Sequence, residues 1–217
     1  MRFAHYILII ISLTFLMDCG KKSPTKSSRI KSALNAGWDE FESSNMEAAL
    51  EEFMEAFNLD STRAQSQVAV AWARLMIPGI DPATVIMAID SNSTDDQDWR
   101  NDAWCVLAVA HLILNQYPQA DSVALLVLTA DPAYVFVHRP SADWQDLLLI
   151  RGQALFFMAQ YITAWQVMGP LVVDTEYESI DPTKPSTWKI GNTGETYNMF
   201  AEIVAKVISA LVEDHRL

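Results

Sequence analysis

The stretch that decides the fold is WCVLAVAHLILNQYPQADSVALLVLTADP, residues 104–132. Its large apolar residues recur every three or four positions on both sides of a short polar break, which is typical of two amphipathic helices joined by a tight turn. A small residue on the first helix, Ala108, is followed twelve positions later by Ala120 on the second. Small residues at these places let two helices cross closely, while their large neighbours fill the grooves beside the crossing.

The same spacing occurs four times along the chain. Each unit has a small residue, a large apolar residue four positions later and an alanine twelve positions later. The three sets are Gly37, Ala71, Ala108 and Gly152; Phe41, Leu75, Leu112 and Phe156; and Ala49, Ala83, Ala120 and Ala164. The units are 34, 37 and 44 residues apart. We therefore expect the extra residues, SNSTDDQD at 91–98 and YVFVHRPSAD at 134–143, to form loops between the units.

This pattern resembles the tetratricopeptide repeat (TPR), a helix-turn-helix unit of about 34 residues. The family's signature positions are occupied in the third unit by Trp104, Leu107, Ala108, Tyr117, Ala120 and Pro132. The resemblance implies an all-α fold, a TPR-like α-solenoid of three to four helix-turn-helix repeats within residues 29–217. The repeats would cover about 30–60, 64–90, 101–132 and 145–174, the second being the most degenerate because PGIDP replaces its turn.

Beyond Leu171 the repeat pattern stops. Residues 172–195 are rich in proline, glycine and acidic residues, which indicates an irregular segment. Residues 196–214 then place Tyr197, Phe200, Val204 and Leu211 on one face of a helix. We expect that helix to cap the last repeat, as solenoids require at their ends.

The first 18 residues have the pattern of a secretory signal peptide, with Arg2 before an apolar run at 7–17. The sequence LMDC at 16–19 resembles the bacterial lipoprotein signal, which implies cleavage before Cys19 and attachment of lipid to it. Asp18 stands where that family usually has Gly, Ala or Ser. The alternatives are an ordinary cleaved signal with an incidental cysteine, and an uncleaved anchor.

A flexible basic tether is predicted at 19–28, between the cysteine and the helical domain. Five basic residues and no acidic one lie between positions 21 and 31, namely Lys21, Lys22, Lys26, Arg29 and Lys31. The whole chain has 15 Lys and Arg against 27 Asp and Glu, a net charge of −12. Because the acidic residues are concentrated after the tether, we expect no nucleic-acid partner. The resemblance, with Gly20 after the cysteine, implies the outer membrane, facing the periplasm.

The sequence contains no recognisable catalytic or metal-binding motif. It has no HExxH, GxSxG or phosphate-binding glycine loop, and none of its four histidines has a second ligand at metal spacing. Cys105 lies in an apolar helical run and is expected to be a small buried residue. We therefore expect a non-catalytic protein with neither a metal nor a cofactor.

Candidate binding residues come from the TPR resemblance. In that family the first helices line a concave groove that binds peptides or partner helices. The corresponding positions here are Lys31, Trp38, Gln65, Trp72, Val109, Ile113, Gln153 and Phe157. For Trp38 and Trp72 the alternative is packing between repeats. The set lacks the Lys, Asn and Arg residues with which some family members hold a C-terminal carboxylate.

Two functions are therefore expected. The first is a lipid-anchored scaffold or adaptor in the bacterial cell envelope, bound to the membrane through lipid on Cys19 and holding an envelope protein or peptide. The alternative is a periplasmic component that binds a small molecule or glycan in a pocket near 172–195, with Tyr177 and Trp188 as stacking faces.

Overall fold

The computed structural model describes residues 23–190, 195–196 and 199–215. The signal segment, Asp18, Cys19, the lysines at 21 and 22, and Tyr197 lie outside these residues. The ten helices of the described part are α1 (Lys26–Glu42), α2 (Met46–Leu59), α3 (Ala64–Met76), α4 (Ala83–Ala88), α5 (Ser91–Asp95), α6 (Arg100–Ile113), α7 (Tyr117–Ala130), α8 (Trp144–Phe157), α9 (Tyr161–Val172) and α10 (Phe200–His215). The predicted all-α class is confirmed.

Helix α1 begins inside the segment predicted as a flexible tether. The hydroxyl of Thr25 accepts a hydrogen bond from the backbone N–H of Ser28 at 3.2 Å and caps the helix. A threonine at this position satisfies one of the free N–H groups of the first turn. Residues 26–28 are therefore helical, so the expected boundary at residue 29 is too late by three residues.

Consecutive helices pack against one another along the chain. In addition, α1 contacts α3, α3 contacts α6, α6 contacts α8 and α8 contacts α10, so these five helices form a continuous row. The second helices, α2, α4, α7 and α9, each pack on the preceding member of the row. The last helix, α10, also contacts α9.

Three of the helix pairs share one turn geometry. In α1–α2, α6–α7 and α8–α9 the middle residue of a three-residue turn has a positive φ: Ser44 at 63°, Asn115 at 58° and Ala159 at 59°. Each turn also has the two backbone hydrogen bonds of a Schellman motif, as in Ala159 N–H to Phe156 O and Gln160 N–H to Leu155 O, both 2.9 Å. The recurrence shows that the three pairs are built alike.

The second pair differs. PGIDP, with Gly79 at φ 85°, separates α3 from α4, and the six-residue α4 is followed by the separate short helix α5. Pro82 precedes α4 and removes one backbone donor there. Residues 91–98, expected to be a loop, therefore contain a helical turn at Ser91–Asp95.

The small residues of the repeat pattern lie in the helix crossings. Ala49, Ala120 and Ala164 are completely buried, whereas Ala83 of the irregular pair is only half-buried. A Cβ on Gly37 would stand 2.3 Å from the ring of Phe53, and one on Gly152 would stand 2.4 Å from Met168 Sδ. These two glycines thus make room for a large side chain from the second helix of their own pair.

The segment predicted as irregular contains a 3₁₀ turn at Pro185–Thr187 and two-residue strands at Lys189–Ile190 and Glu195–Thr196, which pair antiparallel. Its aromatic residues pack inward. Within the described residues, no helix is both long enough and apolar enough to cross a membrane.

Candidate functional site

Six of the candidate binding residues lie on one face of the helix row. This face is formed by two repeat positions, one and five residues after the small residue of each unit. The first position holds Trp38, Trp72, Val109 and Gln153, and the second holds Glu42, Met76, Ile113 and Phe157. Because the two positions are four residues apart, their side chains lie one turn apart on the same face of each helix.

The insertion before α8 folds back onto this face as a hairpin, residues 134–144. Its arms are joined by hydrogen bonds from Phe136 N–H to Ala142 O at 2.9 Å and from Trp144 N–H to Tyr134 O at 2.8 Å. Tyr134 and Phe136 are buried, whereas Val137 is 70% exposed. The insertion was expected to form a loop between two repeat units. Instead, one side of it belongs to the hydrophobic core.

The aromatic residues of the hairpin cover both tryptophans of the row. The ring of Phe136 stacks on Trp72 at 4.4 Å between centroids and meets Trp38 edge-on at 5.9 Å. The imidazole of His138 stacks on Trp38 at 3.8 Å. As a result, Trp38 is 4% exposed and Trp72 is 2% exposed. Of the two alternatives left open for Trp38 and Trp72, packing within the protein describes their side chains, because the hairpin covers both.

Polar contacts fix the hairpin at both ends. Tyr134 donates its hydroxyl to Asp102 Oδ1 at 2.7 Å, and His138 Nδ1 lies 2.8 Å from Glu42 Oε1. Burial raises the pKa of Asp102 to about 6, although the Tyr134 hydrogen bond and the nearby His138 lower it. Burial also raises the pKa of the Cys105 thiol to about 12, so this cysteine is an unreactive thiol at neutral pH, consistent with its predicted burial.

Beyond the hairpin the same face opens into a cleft of about 450 Å³. Four of the predicted residues line it: Trp72, Val109, Ile113 and Gln153. The hairpin supplies Arg139 and Ser141, α8 supplies Asp146, and α10 supplies Val212. Most of the remaining wall is aliphatic, from Leu75, Met76, Leu112 and Ile150. The cleft has the size and the mainly apolar lining of a small-ligand site.

The charges in the cleft are not equivalent. Asp146, 3% exposed, accepts the backbone N–H of Asp143 at 3.1 Å and completes the capping box at the N-terminus of α8. Both features stabilise its negative charge. Arg139 contacts Met76 Sδ through Nη1, and among the described residues no carboxylate lies within salt-bridge distance of its guanidinium. Arg139 is thus a half-buried cation without a counterion there.

One residue of the cleft wall, Trp72, has an unsatisfied donor. Its indole N–H is buried and has no hydrogen-bond acceptor within the described residues. A buried donor without an acceptor costs roughly 1–3 kcal/mol. The cleft therefore combines apolar walls with the guanidinium of Arg139, which has no carboxylate within salt-bridge distance in the described part of the chain.

An exposed apolar edge adjoins the cleft at the turns of the third and fourth helix pairs. It consists of Ile113, Tyr117, Phe157 and Ile162. Phe157, 56% exposed, stacks on the half-buried Tyr117 at 4.7 Å, and Ile113 is 53% exposed. Exposed apolar groups that lie together in this way are typical of interaction sites.

The other predicted site residues lie apart from this surface. Lys31 is exposed on α1, and Gln65 lines a separate polar hollow together with Arg63 and Asp95. No group of acidic, histidine or cysteine residues in the described ranges could hold a metal ion.

Near 172–195, Tyr177 is buried, and Trp188 donates its indole N–H to Asp181 O at 3.0 Å. The ring of Trp188 also packs on Phe200 at 5.6 Å. The two aromatic faces proposed for ligand stacking are therefore engaged within the protein.

Sequence reasoning missed Phe136, His138 and Arg139. A signal was present in the alternation of Tyr134, Phe136 and His138 with two valines, because inserted loops rarely carry so many apolar side chains. Comparison of the chain with family models, with curated proteins and with solved structures finds no match.

Proposed function

We propose that this chain is a non-catalytic adaptor with a TPR-like solenoid fold, tethered to the bacterial envelope by lipid on Cys19. It holds an apolar segment of another envelope protein against the edge formed by Ile113, Tyr117, Phe157 and Ile162. The observation that carries the proposal is this edge, because three of its large apolar side chains are more than half exposed and Tyr117 stacks on one of them.

The solenoid part of the proposal is supported by the repeated construction. Three helix pairs share the same Schellman turn, and the first helices form one continuous row. The anchor part is supported by the sequence LMDC at 16–19 and by the basic residues that follow. An outer-membrane position facing the periplasm follows from the lipoprotein resemblance, and two or more acyl chains would hold the protein there durably.

The adaptor function is tested by site-specific photocrosslinking in envelopes. A crosslinking amino acid replaces Ile162, and the captured protein is identified by mass spectrometry in wild type, Phe157→Ser and Met87→Ser backgrounds. Met87 is the matched control, since it is exposed but lies on α4, away from the edge. We expect one recurring partner, lost with Phe157→Ser and kept with Met87→Ser. Capture that is equal in both backgrounds would refute the assignment of the edge.

The anchor is tested separately. Mass spectrometry of the mature N-terminus should show an acylated cysteine, and Cys19→Ala should move the protein out of the membrane fraction. A Cys19→Ala protein that stays with the membrane would rule out the lipid anchor while leaving the partner-binding edge untouched.

A further inference from the structure

We infer that the cleft between α3, α6, α8 and the hairpin binds a straight-chain fatty acid, with the carboxylate held by Arg139 and the alkyl chain between the aliphatic walls. This site shares Ile113 with the proposed partner-binding edge but none of its other residues, and the inference stands independently of the adaptor function. It rests on the apolar composition of the cleft and on the charge of Arg139 within it.

The head of the ligand is specified by Arg139. A guanidinium in a mainly apolar cleft is stabilised by an anion that accepts two parallel hydrogen bonds, and a carboxylate has that geometry. The Asp146 carboxylate in the same cleft is engaged by the helix cap of α8, which leaves Arg139 as the cation without a counterion in the described structure.

The tail of the ligand is specified by the walls. Leu75, Val109, Leu112, Ile150 and Val212 present aliphatic surface, which stabilises an alkyl chain through removal of apolar area from water. A peptide strand in this place would bring several N–H and C=O groups. The side chains that could pair with them are few, namely Ser141 and Gln153 beside the already engaged Asp146. A single alkyl chain needs no such partners.

The experiment uses the full chain, stripped of bound lipid, and titrates it calorimetrically with decanoate, with 1-decanol and with a tetrapeptide ending in leucine and a free carboxylate. We expect one decanoate per chain, with weaker binding of the alcohol and the peptide. Arg139→Gln should weaken decanoate binding by about tenfold or more, because a charge-assisted hydrogen bond is lost. The affinity for decanol should not change. Arg63→Gln, an arginine outside the cleft, is the matched control and should change neither.

A second readout reports the contact itself. With ¹³C-carboxyl-labelled decanoate, the bound carboxyl should remain ionised to lower pH in the wild type than in Arg139→Gln, because a neighbouring cation lowers a carboxyl pKa. Val109→Trp, which fills the cleft, should abolish binding of decanoate and decanol alike, and it tests the site even if Arg139→Gln fails to fold.

Three results would overturn the inference. They are equal affinity for decanoate and decanol in the wild type, unchanged decanoate binding in Arg139→Gln or Val109→Trp, and tighter binding of the peptide than of decanoate. The last of these would identify the cleft as a site for protein C-termini instead.

Discussion

The imidazole of His138 lies parallel to the indole of Trp38, with the ring centroids 3.8 Å apart, although one residue belongs to the hairpin before α8 and the other to the first helix. This contact places the hairpin inside the core of the first two helix pairs. Together with the stacking of Phe136 on Trp72, it explains why the two tryptophans on the predicted binding face of the row are inaccessible. The open part of that face begins where the hairpin ends.

The hairpin should contribute strongly to stability. Phe136 is completely buried between Trp72 and Trp38, so Phe136→Ala should lower the free energy of unfolding by about 3–5 kcal/mol. Val137→Ala, on the exposed side of the same hairpin, is the matched control and should change it by less than about 0.5 kcal/mol. Urea unfolding of the two variants measures the difference. If Phe136→Ala lowered the free energy of unfolding as little as Val137→Ala does, the hairpin would not occupy the groove in solution.

The two glycines of the helix crossings should differ in their tolerance of a methyl group. In Gly37→Ala the new Cβ meets the rigid ring of Phe53, whereas in Gly152→Ala it meets the flexible side chain of Met168. Overpacking costs typically about 1–3 kcal/mol, and alanine recovers roughly 1 kcal/mol through its helix propensity. We expect Gly37→Ala to be clearly destabilising and Gly152→Ala to be near neutral in thermal unfolding. The reverse order would contradict the packing described.

Replacing Ala159, in the turn between α8 and α9, with glycine should stabilise the protein. Ala159 has φ 59°, a conformation that costs an L-residue about 1–2 kcal/mol, whereas the added freedom of glycine in the unfolded chain costs about 0.4–1 kcal/mol. Ala159→Gly should therefore raise the free energy of unfolding by about 0.5–1 kcal/mol in urea. Ala205→Gly, inside α10, should instead lower it by about 1 kcal/mol. A lower free energy of unfolding in both variants would show that the backbone of Ala159 is not strained.

Asp102 should make stability depend on pH. Its folded pKa, raised to about 6 chiefly by burial, lies above the value of 3.8 for a free carboxyl group, so the native state binds more protons between these values. The contribution of Asp102 to stability therefore falls as pH rises through this window. Asp102→Asn keeps an acceptor for Tyr134 and should stabilise the protein at neutral pH by about 1–3 kcal/mol.

Urea unfolding at neutral pH and near the lower end of the window checks this expectation. The gain from Asp102→Asn should shrink at the lower pH, where the wild-type carboxyl is already protonated in the folded state. Tyr134→Phe is the control, because it removes the Tyr134–Asp102 hydrogen bond and leaves the carboxyl group in place. A gain that does not change with pH would exclude a desolvated carboxylate at residue 102.

The helix pairs could be predicted because their determinants are local. Gly37 and Gly152 stand in step with the large residues four positions on, and this spacing reflects the crossing of two helices that are adjacent in sequence. The second pair was harder to predict, since Pro82 and Gly79 change the turn and shorten α4 to six residues. The sequence shows where a proline or glycine will interrupt a helix. The backbone conformation at that interruption depends on the packing around it.

The hairpin and the cleft could not be predicted in the same way. Whether 134–143 is an exposed loop or a buried wedge depends on Trp38 and Trp72, which belong to the first and second helix pairs, whereas the hairpin follows the third. Arg139 was not predicted as a site residue, because its position in the cleft is set by the path of the hairpin and not by the repeat pattern. Val109, Ile113 and Gln153 were found because they occupy repeat positions, which sequence spacing reveals.

The insertion of the hairpin has a consequence for how the chain folds. Helix repeats that touch only their neighbours can unfold one at a time from an end. Here Glu42 and His138 join the first helix to a segment 96 residues away, and one hydrophobic cluster extends from Ile30 to Ala154. The first three pairs should therefore exchange their amide protons as a single cooperative unit, while the smaller cluster of Trp165, Met168 and Ile203 around α9 and α10 opens separately. The long loop that must close before His138 reaches Trp38 should also make folding slower than in a repeat array of the same length without such an insertion.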